Sequence, residues 1–272
     1  MYSQCLSKVL IFIILELFGC DHQLNNGDLQ KYSYLLYGFY NIKHTGDLVS
    51  FNLTQGTGFF IKNGGKLFLI SAKHVLTPCD PIKAIKRSEY PDTMWIRLTS
   101  RDGGLVFRSI DITRIRDTVN CGYGFIDPDV FIVEFKDTSD CIINSIESLI
   151  GPIDSLGSGS LYTYGFRSIY NPITDENLND FKIQKSTLTI GSYYGNSMYR
   201  RKLQYLIKRS DTLNKQGCSG SPIFIDLKNK GQYRFAGILV QSDTTKANTD
   251  STFRLSSALK SEFVLERLSY LK

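Results

Sequence analysis

The sequence predicts an all-β protein, a barrel or a sandwich, that ends in a helix. From Tyr32 onward, short apolar segments alternate with glycine-containing turns, which is typical of antiparallel strands. An Asn-Gly-Gly sequence at 63–65 joins two of these segments and predicts a tight hairpin. Apolar residues take helical spacing over residues 257–271, which predicts a closing helix. A chain of 272 residues can bury a substantial core, as one large domain or two smaller ones.

Composition argues against two classes of function. The net charge of +6 is mild, with acids and bases in ordinary proportion, so nucleic-acid binding is not predicted. No Cys-x-x-Cys pair or Cys/His cluster has the spacing of a zinc site, so no metal is predicted. The six cysteines are at positions 5, 20, 79, 121, 141 and 218. An exported protein could pair some of them, but the sequence leaves the connectivity open.

Residues 1–20 are predicted to be a signal peptide or lipoprotein leader. Lys8 precedes an apolar run at 9–15 that is too short to span a bilayer comfortably. The Leu-Phe-Gly-Cys sequence at 17–20 resembles a bacterial lipobox, in which a lipidated Cys20 would attach the protein to a membrane. A plain secretory leader and an uncleaved anchor are the alternatives. The protein is therefore expected to be exported and lipid-anchored in the cell envelope, periplasmic or at the surface, or otherwise secreted.

The polar residues 21–31 are predicted to be a tether between the leader and the folded region. The strands predicted next are residues 33–40, 48–53, 58–62, 66–71, 93–98, 105–110 and 130–135. Residues 72–76 are expected to form a short helical turn, and breakers mark a crossing at about 136–158. The strands predicted after the crossing are residues 160–166, 181–194, 203–208, 222–226, 233–241 and 252–255.

The sequence Gln-Gly-Cys-Ser-Gly-Ser-Pro at 216–222 contains a candidate nucleophile, Ser219. Gly217 and Gly220 flank this serine and allow a tight turn, because glycine tolerates positive φ. Such a turn can direct its N–H groups into one small concavity that suits an oxyanion. The alternative is a plain Gly/Ser/Pro turn before the apolar segment at 223–225.

A serine nucleophile needs a base, and the chain offers three histidines. His22 follows the leader, and His44 lies in a polar, hairpin-like stretch. His74 comes at the end of an apolar run and beside small residues, where a buried strand can deliver an imidazole to the rim of a cleft. A lone histidine there would usually be a satisfied core residue, but beside a candidate nucleophile His74 is the better choice of base.

A third residue must orient the imidazole and compensate its charge. Asp129 directly precedes the apolar segment at 130–135, and a carboxylate at the mouth of a buried strand needs a hydrogen-bond donor. The N–H of His74 would supply that donor and fix the tautomer. Asp127 is the alternative, because Pro128 places both aspartates in one turn. The other interpretation is that residues 127–129 form a solvated turn in which neither aspartate orients a histidine.

Together, these motifs resemble the signatures of the chymotrypsin-like (trypsin-fold) serine peptidases. They are Ser-Ala-Lys-His at 71–74, Asp-Val-Phe-Ile at 129–132 and Gly-Cys-Ser-Gly-Ser-Pro at 217–222, in the order His, Asp, Ser. The resemblance covers about residues 32–270, and with the leader it suggests a bacterial exported or lipoprotein type.

The resemblance implies two six-stranded antiparallel β-barrels followed by a C-terminal helix. Residues 32–147 would form the N-terminal barrel with His74 and Asp129, and residues 148–272 the C-terminal barrel with Ser219 and the helix. It also implies a serine endopeptidase that acts through an acyl-enzyme intermediate on a protein or peptide substrate, with no cofactor.

The same resemblance assigns roles around the triad. The backbone N–H groups of Gly217 and Ser219 would form the oxyanion hole. Cys218 is the alternative nucleophile, as in viral cysteine relatives, but only Ser219 has the flanking glycines in the relatives' frame. The digestive members have an aspartate where this chain has Cys218, and that aspartate pairs with a new N-terminus after activation cleavage. No such cleavage is therefore expected here.

By resemblance, the substrate pocket has its floor at Leu213 and Asn214. Its wall would be Val240, Gln241 and Ser242. Because no acid stands at position 213, a preference for Arg or Lys is not expected, and a mid-sized apolar or small polar residue fits better.

Two other functions compete with a peptidase. One is a catalytically inactive trypsin-fold module that binds protein at the cell envelope. The other is an adhesin or a nutrient-binding lipoprotein with an accidental His/Asp/Ser set.

Overall fold

The structure is a computed structural model, and the residues that it describes are 24–45, 48–76, 93–112, 129–136, 139–167, 184–197, 202–209, 217–244 and 254–271. Within these residues the chain forms two antiparallel β-sheets, one of them a closed barrel, and a C-terminal helix. The all-β prediction is confirmed.

The first sheet has seven strands: β1 (Tyr34–Thr45), β2 (Leu48–Asn63), β3 (Lys66–Ser71), β4 (Thr93–Ser100), β5 (Leu105–Asp111), β6 (Phe131–Glu134) and β7 (Cys141–Ile142). Their order is β5-β4-β1-β2-β3-β6, and β7 pairs with β4. Across the described residues this sheet does not close on itself, and β7 adds a seventh strand to the six that were expected.

The second sheet is a closed six-stranded antiparallel barrel, as predicted. Its strands are β8 (Leu161–Gly165), β9 (Thr187–Asn196), β10 (Gln204–Arg209), β11 (Pro222–Asp226), β12 (Tyr233–Thr244) and β13 (Arg254–Lys260). They follow the order β10-β13-β12-β11-β8-β9 around the barrel. Strand β11 begins immediately after the turn that carries Ser219, so the barrel fixes where that turn emerges.

Two predicted strands in the first sheet are a single strand, β2. A break was expected between residues 53 and 58, but Gly56 pairs with Leu36 of β1 and the strand runs through. A Cβ atom at position 56 would lie 2.3 Å from a methyl carbon of Val75. Gly56 therefore makes room for a neighbouring side chain and does not end the strand.

The C-terminal helix begins later than the sequence predicts. Residues 257–260 belong to β13, where Ala258 pairs with both Tyr205 and Leu239. Helix α2 (Ser261–Ser269) then places Val264 and Leu268 on one buried face. Pairing with strands on both sides overrides the helical spacing of residues 257–260.

Part of the expected tether is folded. Residues Asn26–Tyr32 form a 3-10 helix, capped by reciprocal hydrogen bonds between Asn25 and Asp28. Leu29 is fully buried in the larger of two hydrophobic clusters, which contains residues of both sheets and is called the main core below. Tyr32 packs on Phe224 with ring centroids 5.9 Å apart. These two apolar side chains dock the segment onto the domain, so it is not a free linker.

The two sheets share one hydrophobic core. Phe59 of β2 and Phe235 of β12 meet with ring centroids 5.3 Å apart, and the buried Ser33 hydroxyl donates to the Tyr164 carbonyl at 2.8 Å. This shared core fixes the first sheet against the barrel, and with it the segments that carry the candidate site residues.

Candidate active site

His74 lies on a one-turn helix, α1 (Lys73–Leu76), that follows β3 directly. Ser71, at the end of β3, is fully buried and donates its hydroxyl to the Thr57 carbonyl at 2.6 Å. Val75, the next residue along from His74, is buried in the main core. His74 is thus carried by a short turn that is anchored in the core on both sides.

Asp129 holds His74 through two contacts. The backbone N–H of His74 donates to Oδ1 at 2.9 Å, and the ring nitrogen Nδ1 lies 2.5 Å from Oδ2. Asp129 stands two residues before Phe131 of β6, which pairs with Ser71 at the end of β3. The register of β3 and β6 therefore joins two residues that are 55 positions apart. Because an ionised carboxylate can only accept, Nδ1 carries a proton and Nε2 is left as the basic nitrogen.

The carboxylate makes His74 a stronger base. Burial alone would lower the pKa of His74, but the hydrogen bond and the charge of Asp129 outweigh it, so the pKa is raised above its ordinary value of 6.5. The side chains remain within reach of solvent, 37% exposed for His74 and 28% for Asp129. A paired imidazole with an accessible edge can accept a proton from a neighbouring hydroxyl.

Ser219 lies on a turn whose shape requires glycine. Gly217 and Gly220 have φ angles of 88° and 87°, in the left-handed region that other residues enter at a cost. The Gly220 N–H donates to the Leu239 carbonyl of β12 at 2.7 Å, which ties the turn to the barrel. The turn is therefore held in its shape by its own sequence and by the neighbouring strand.

This turn packs on the residues that lead to His74. The Thr57 N–H donates to the Ser219 carbonyl at 2.8 Å. A Cβ atom on Gly220 would lie 2.9 Å from the backbone nitrogen of Ala72, two residues before His74. No hydrogen bond joins the Ser219 hydroxyl to the His74 ring, two residues that the structure describes. In unliganded enzymes, the hydrogen bond between a nucleophile and its base is often long and tightens only when substrate binds.

Cys218 lies behind the turn. It is buried, and a Cβ atom on Gly165 of β8 would lie 2.9 Å from its sulfur, so the thiol lies against the barrel. The Ser221 N–H donates to the Cys218 carbonyl at 3.1 Å. Cys218 therefore fills space between the turn and the barrel.

The predicted substrate pocket is described only in part. Val240 is buried in β12 and packs in the main core. Gln241 and Ser242 continue that strand, but their side chains lie outside the described residues, as do Leu213 and Asn214.

The leader with Cys20, the alternative Asp127 and the loops around them also lie outside the described residues. Across the part of the chain that is described, no helix is long and apolar enough to cross a membrane. Within the same residues, no group of three or more His, Cys, Asp or Glu side chains could hold a metal ion.

Sequence reasoning missed Thr57, which bonds to the serine turn at two points. The available signal was a threonine between two glycines, Gly56 and Gly58, in an apolar strand. Nothing local in that pattern shows that the strand passes beneath a turn about 160 residues further on.

No protein-family model matches the chain, and no curated protein matches it significantly. Among solved structures, it is similar to a thermostable serine protease, AL20, from an extremophilic microorganism, with 11% identity and a TM-score of 0.47 over 89% of this chain and 97% of that one. It is also similar to the protease Anisep from Arthrobacter nicotinovorans, with 11% identity and a TM-score of 0.45 over 83% and 89% of the two chains.

A third similar structure is the MamO protease domain from Magnetospirillum magneticum, with 9% identity and a TM-score of 0.45 over 88% of this chain and 96% of that one. All three are named as proteases. Similarity at this level concerns the overall arrangement of strands and carries no conclusion about activity.

Proposed function

We propose that the protein is a serine endopeptidase with Ser219 as nucleophile, His74 as general base and Asp129 as the orienting carboxylate. The observation that carries the proposal is the two-point attachment of His74 to Asp129, on a segment that the Ser219 turn contacts. An ordinary turn aspartate has no need to hold both the backbone and the ring of one histidine. A serine hydroxyl is activated by such an oriented imidazole.

The chemistry needs only these groups and water. The Ser219 oxygen bonds to the carbonyl carbon of the peptide while Nε2 of His74 takes the hydroxyl proton, and the C=O π electrons move to oxygen. When that oxygen re-forms the double bond, the C–N bond breaks, the leaving nitrogen takes the proton from His74, and an acyl-enzyme ester remains. Water then bonds to the acyl carbon and gives a proton to His74, which returns it to the departing Ser219 oxygen.

The negative oxygen of each tetrahedral intermediate needs fixed donors. We assign this role to the backbone N–H groups of Gly217 and Ser219, on the turn shaped by two left-handed glycines. Donors that are already in place cost no reorganisation when the charge develops, which is why they lower the barrier.

The substrate is a protein or peptide that lies along β12. We propose that Val240, Gln241 and Ser242 form one wall of the primary pocket and that Leu213 and Asn214 form its floor. Without a carboxylate at position 213, the pocket takes a mid-sized apolar or small polar side chain. A peptide library cut mainly after arginine would contradict this assignment.

We propose that the protein is exported and attached to the membrane of the cell envelope through a lipidated Cys20. Incorporation of a tagged fatty acid into wild type, absent in Cys20→Ala, tests the attachment. An equal signal from both proteins would refute it.

No activation cleavage is proposed, because Cys218 supplies no carboxylate to pair with a new N-terminus. Protein that begins at about Asn25 and carries extra N-terminal residues is expected to be active as purified. Activity that appears only after trimming of those residues would contradict this.

Reaction with a fluorophosphonate probe tests the proposed activity, because such probes label activated serines. Wild type is expected to be labelled, and Ser219→Ala and His74→Ala to lose about 10⁴-fold or more of the labelling rate. Cys218→Ser is the matched control and should retain labelling. Labelling that persists in Ser219→Ala would refute the assignment of the nucleophile.

A binding module without catalysis is the second candidate, and one observation favours it. A cleft of about 410 Å³ is lined by residues of the first sheet, of the N-terminal 3-10 helix and of the segments that follow β8 and precede β9, but by none of the triad. Its described lining includes the cations Lys31, Arg97 and Lys185 and no carboxylate. A well-folded wild type that the fluorophosphonate leaves unlabelled would favour this function.

A further inference from the structure

We infer that Thr57 is a positioning residue that holds the two oxyanion-binding residues in place, an inference that rests on the proposed peptidase activity. Thr57 belongs to neither the triad nor the oxyanion hole. It lies in the middle of β2, between Gly56 and Gly58, and is completely buried. A buried polar residue in a strand needs partners for its hydroxyl, and here those partners lead to the serine turn.

Thr57 bonds to the carbonyl oxygens of the two residues whose N–H groups would bind the oxyanion. Its backbone N–H donates to Ser219 at 2.8 Å, and its hydroxyl donates to Gly217 at 3.2 Å. Its own carbonyl accepts the Ser71 hydroxyl at 2.6 Å, at the end of the strand that leads to His74. One residue of the first sheet thus connects the histidine segment to the serine turn.

A third partner fixes the direction of the hydroxyl proton. The backbone N–H of Phe166, just after β8, donates to Thr57 Oγ1 at 3.0 Å. Because an N–H can only donate, the hydroxyl accepts there and its proton is available for the Gly217 carbonyl. The threonine side chain is therefore an oriented bridge from the barrel wall to the turn.

This bridge matters because Gly217 has no side chain of its own to restrain it. Glycine adopts the φ of 88° found at this position without strain, but its backbone also rotates more freely than that of any other residue. Bonding the Gly217 carbonyl restrains the peptide unit that follows its α-carbon, and through that fixed α-carbon it limits the positions of the preceding unit, which carries the Gly217 N–H. The bond to the Ser219 carbonyl restrains Ser219 in the same indirect way. A donor that moves by about 1 Å can cost about 100-fold in rate, so the hydroxyl is expected to act on catalysis and not on substrate binding.

The test compares Thr57→Val, which removes the hydroxyl at nearly constant volume, with Thr57→Ser, which keeps it. Thr163→Val is the matched control, because the buried Thr163 hydroxyl also donates to a backbone carbonyl, that of Pro222 at 2.8 Å. Labelling by a fluorophosphonate over a range of concentrations separates the maximal rate from the half-saturating concentration. Thermal unfolding of each variant gives the folded fraction by which the rates are normalised.

We expect Thr57→Val to lower the maximal labelling rate by about 10- to 100-fold and to change the half-saturating concentration by less than about twofold. Thr57→Ser should return the rate to within about threefold of wild type, and Thr163→Val should keep the wild-type rate per folded molecule.

Equal rates for Thr57→Val and Thr163→Val would overturn the inference, as would a Thr57→Ser as slow as Thr57→Val. If Thr57→Val does not fold, Thr57→Ala against Thr163→Ala gives the same comparison. A folded wild type that is not labelled would refute the proposed activity itself, so the two failures are distinguishable.

Discussion

At the scale of single residues, Asp129 couples the charge of His74 to the stability of the fold. The pKa of His74 is raised in the folded protein by the hydrogen bond and charge of Asp129, which outweigh burial. The protonated ring is therefore stabilised relative to the unfolded chain. This contribution is fully present below the unfolded pKa of about 6.5 and is lost as the pH rises through the folded pKa.

Asp129→Asn is therefore expected to lower the thermal unfolding midpoint more at about pH 5.5 than at about pH 9. An NMR titration should place the pKa of His74 above 6.5 in wild type and lower in the variant. Asp154→Asn, at an exposed position, removes the same charge and serves as the control. A stability difference for Asp129→Asn that stays constant, or grows, toward alkaline pH would contradict this role.

Gly220→Ala is expected to destabilise the protein by more than about 3 kcal/mol, because strain and collision add. The added Cβ would lie 2.0 Å from the Thr57 carbonyl oxygen, at a φ of 87°. Gly103→Ala is a matched control, since its φ is 88° and no atom lies within 4 Å of the added carbon. That variant should lose about 1–2 kcal/mol, the conformational cost alone. Equal losses in urea denaturation would show that contact between the turn and β2 is unimportant.

The sequence indicates the residues of the candidate triad better than it indicates the residues that hold the triad in place. His74, Asp129 and Ser219 each stand out in the sequence, as a histidine at a strand end, a carboxylate before a strand and a serine between glycines. Thr57 does not stand out, because its importance comes from pairing across the molecule. Contacts of that kind depend on tertiary register, which no local pattern contains.

At the scale of elements, the N-terminal 3-10 helix is part of the domain. Its sequence is polar apart from Leu29 and Tyr32, and for that reason the composition predicts a tether. Two apolar residues suffice to dock the segment once a shared core offers them a site, since each buried side chain contributes about 1.5–3 kcal/mol.

Leu29→Ala is therefore expected to destabilise the protein by about 2–5 kcal/mol, as for other buried leucines. Gln30→Ala, at the exposed neighbouring position, should change the free energy of unfolding by less than about 0.5 kcal/mol. Chemical denaturation of both variants measures these changes in the free energy of unfolding. A Leu29→Ala protein as stable as wild type would restore the tether interpretation.

Element type is predicted more closely than element boundaries. Strand β3 begins and ends where the sequence predicts, because the hairpin turn at 63–65 and the small residues after Ser71 mark both ends. Strand β2 is longer than predicted because Gly56, which makes room for a neighbouring side chain, resembles a strand-breaking glycine in the sequence. Helix α2 begins later than predicted because residues 257–260 have helical spacing but pair as a strand.

At the scale of the whole molecule, two sheets with a common core bring together segments that are distant in the chain. The closed barrel presents the Ser219 turn and the first sheet presents His74 and Asp129, and Thr57 connects the two. From the sequence, this convergence is predicted only because the three motifs and their order resemble those of the chymotrypsin-like peptidases. The strand pairings supply its physical basis, since β3 and β6 set the histidine pair and β11 and β12 set the turn.

Cleavage of a peptide library, followed by mass spectrometry of the products, tests the central claim most directly. We expect folded wild type to hydrolyse internal peptide bonds, mainly after mid-sized apolar or small polar residues, and Ser219→Ala to produce no such fragments above background. Fragments formed equally by Ser219→Ala, or none formed by well-folded wild type, would contradict the account.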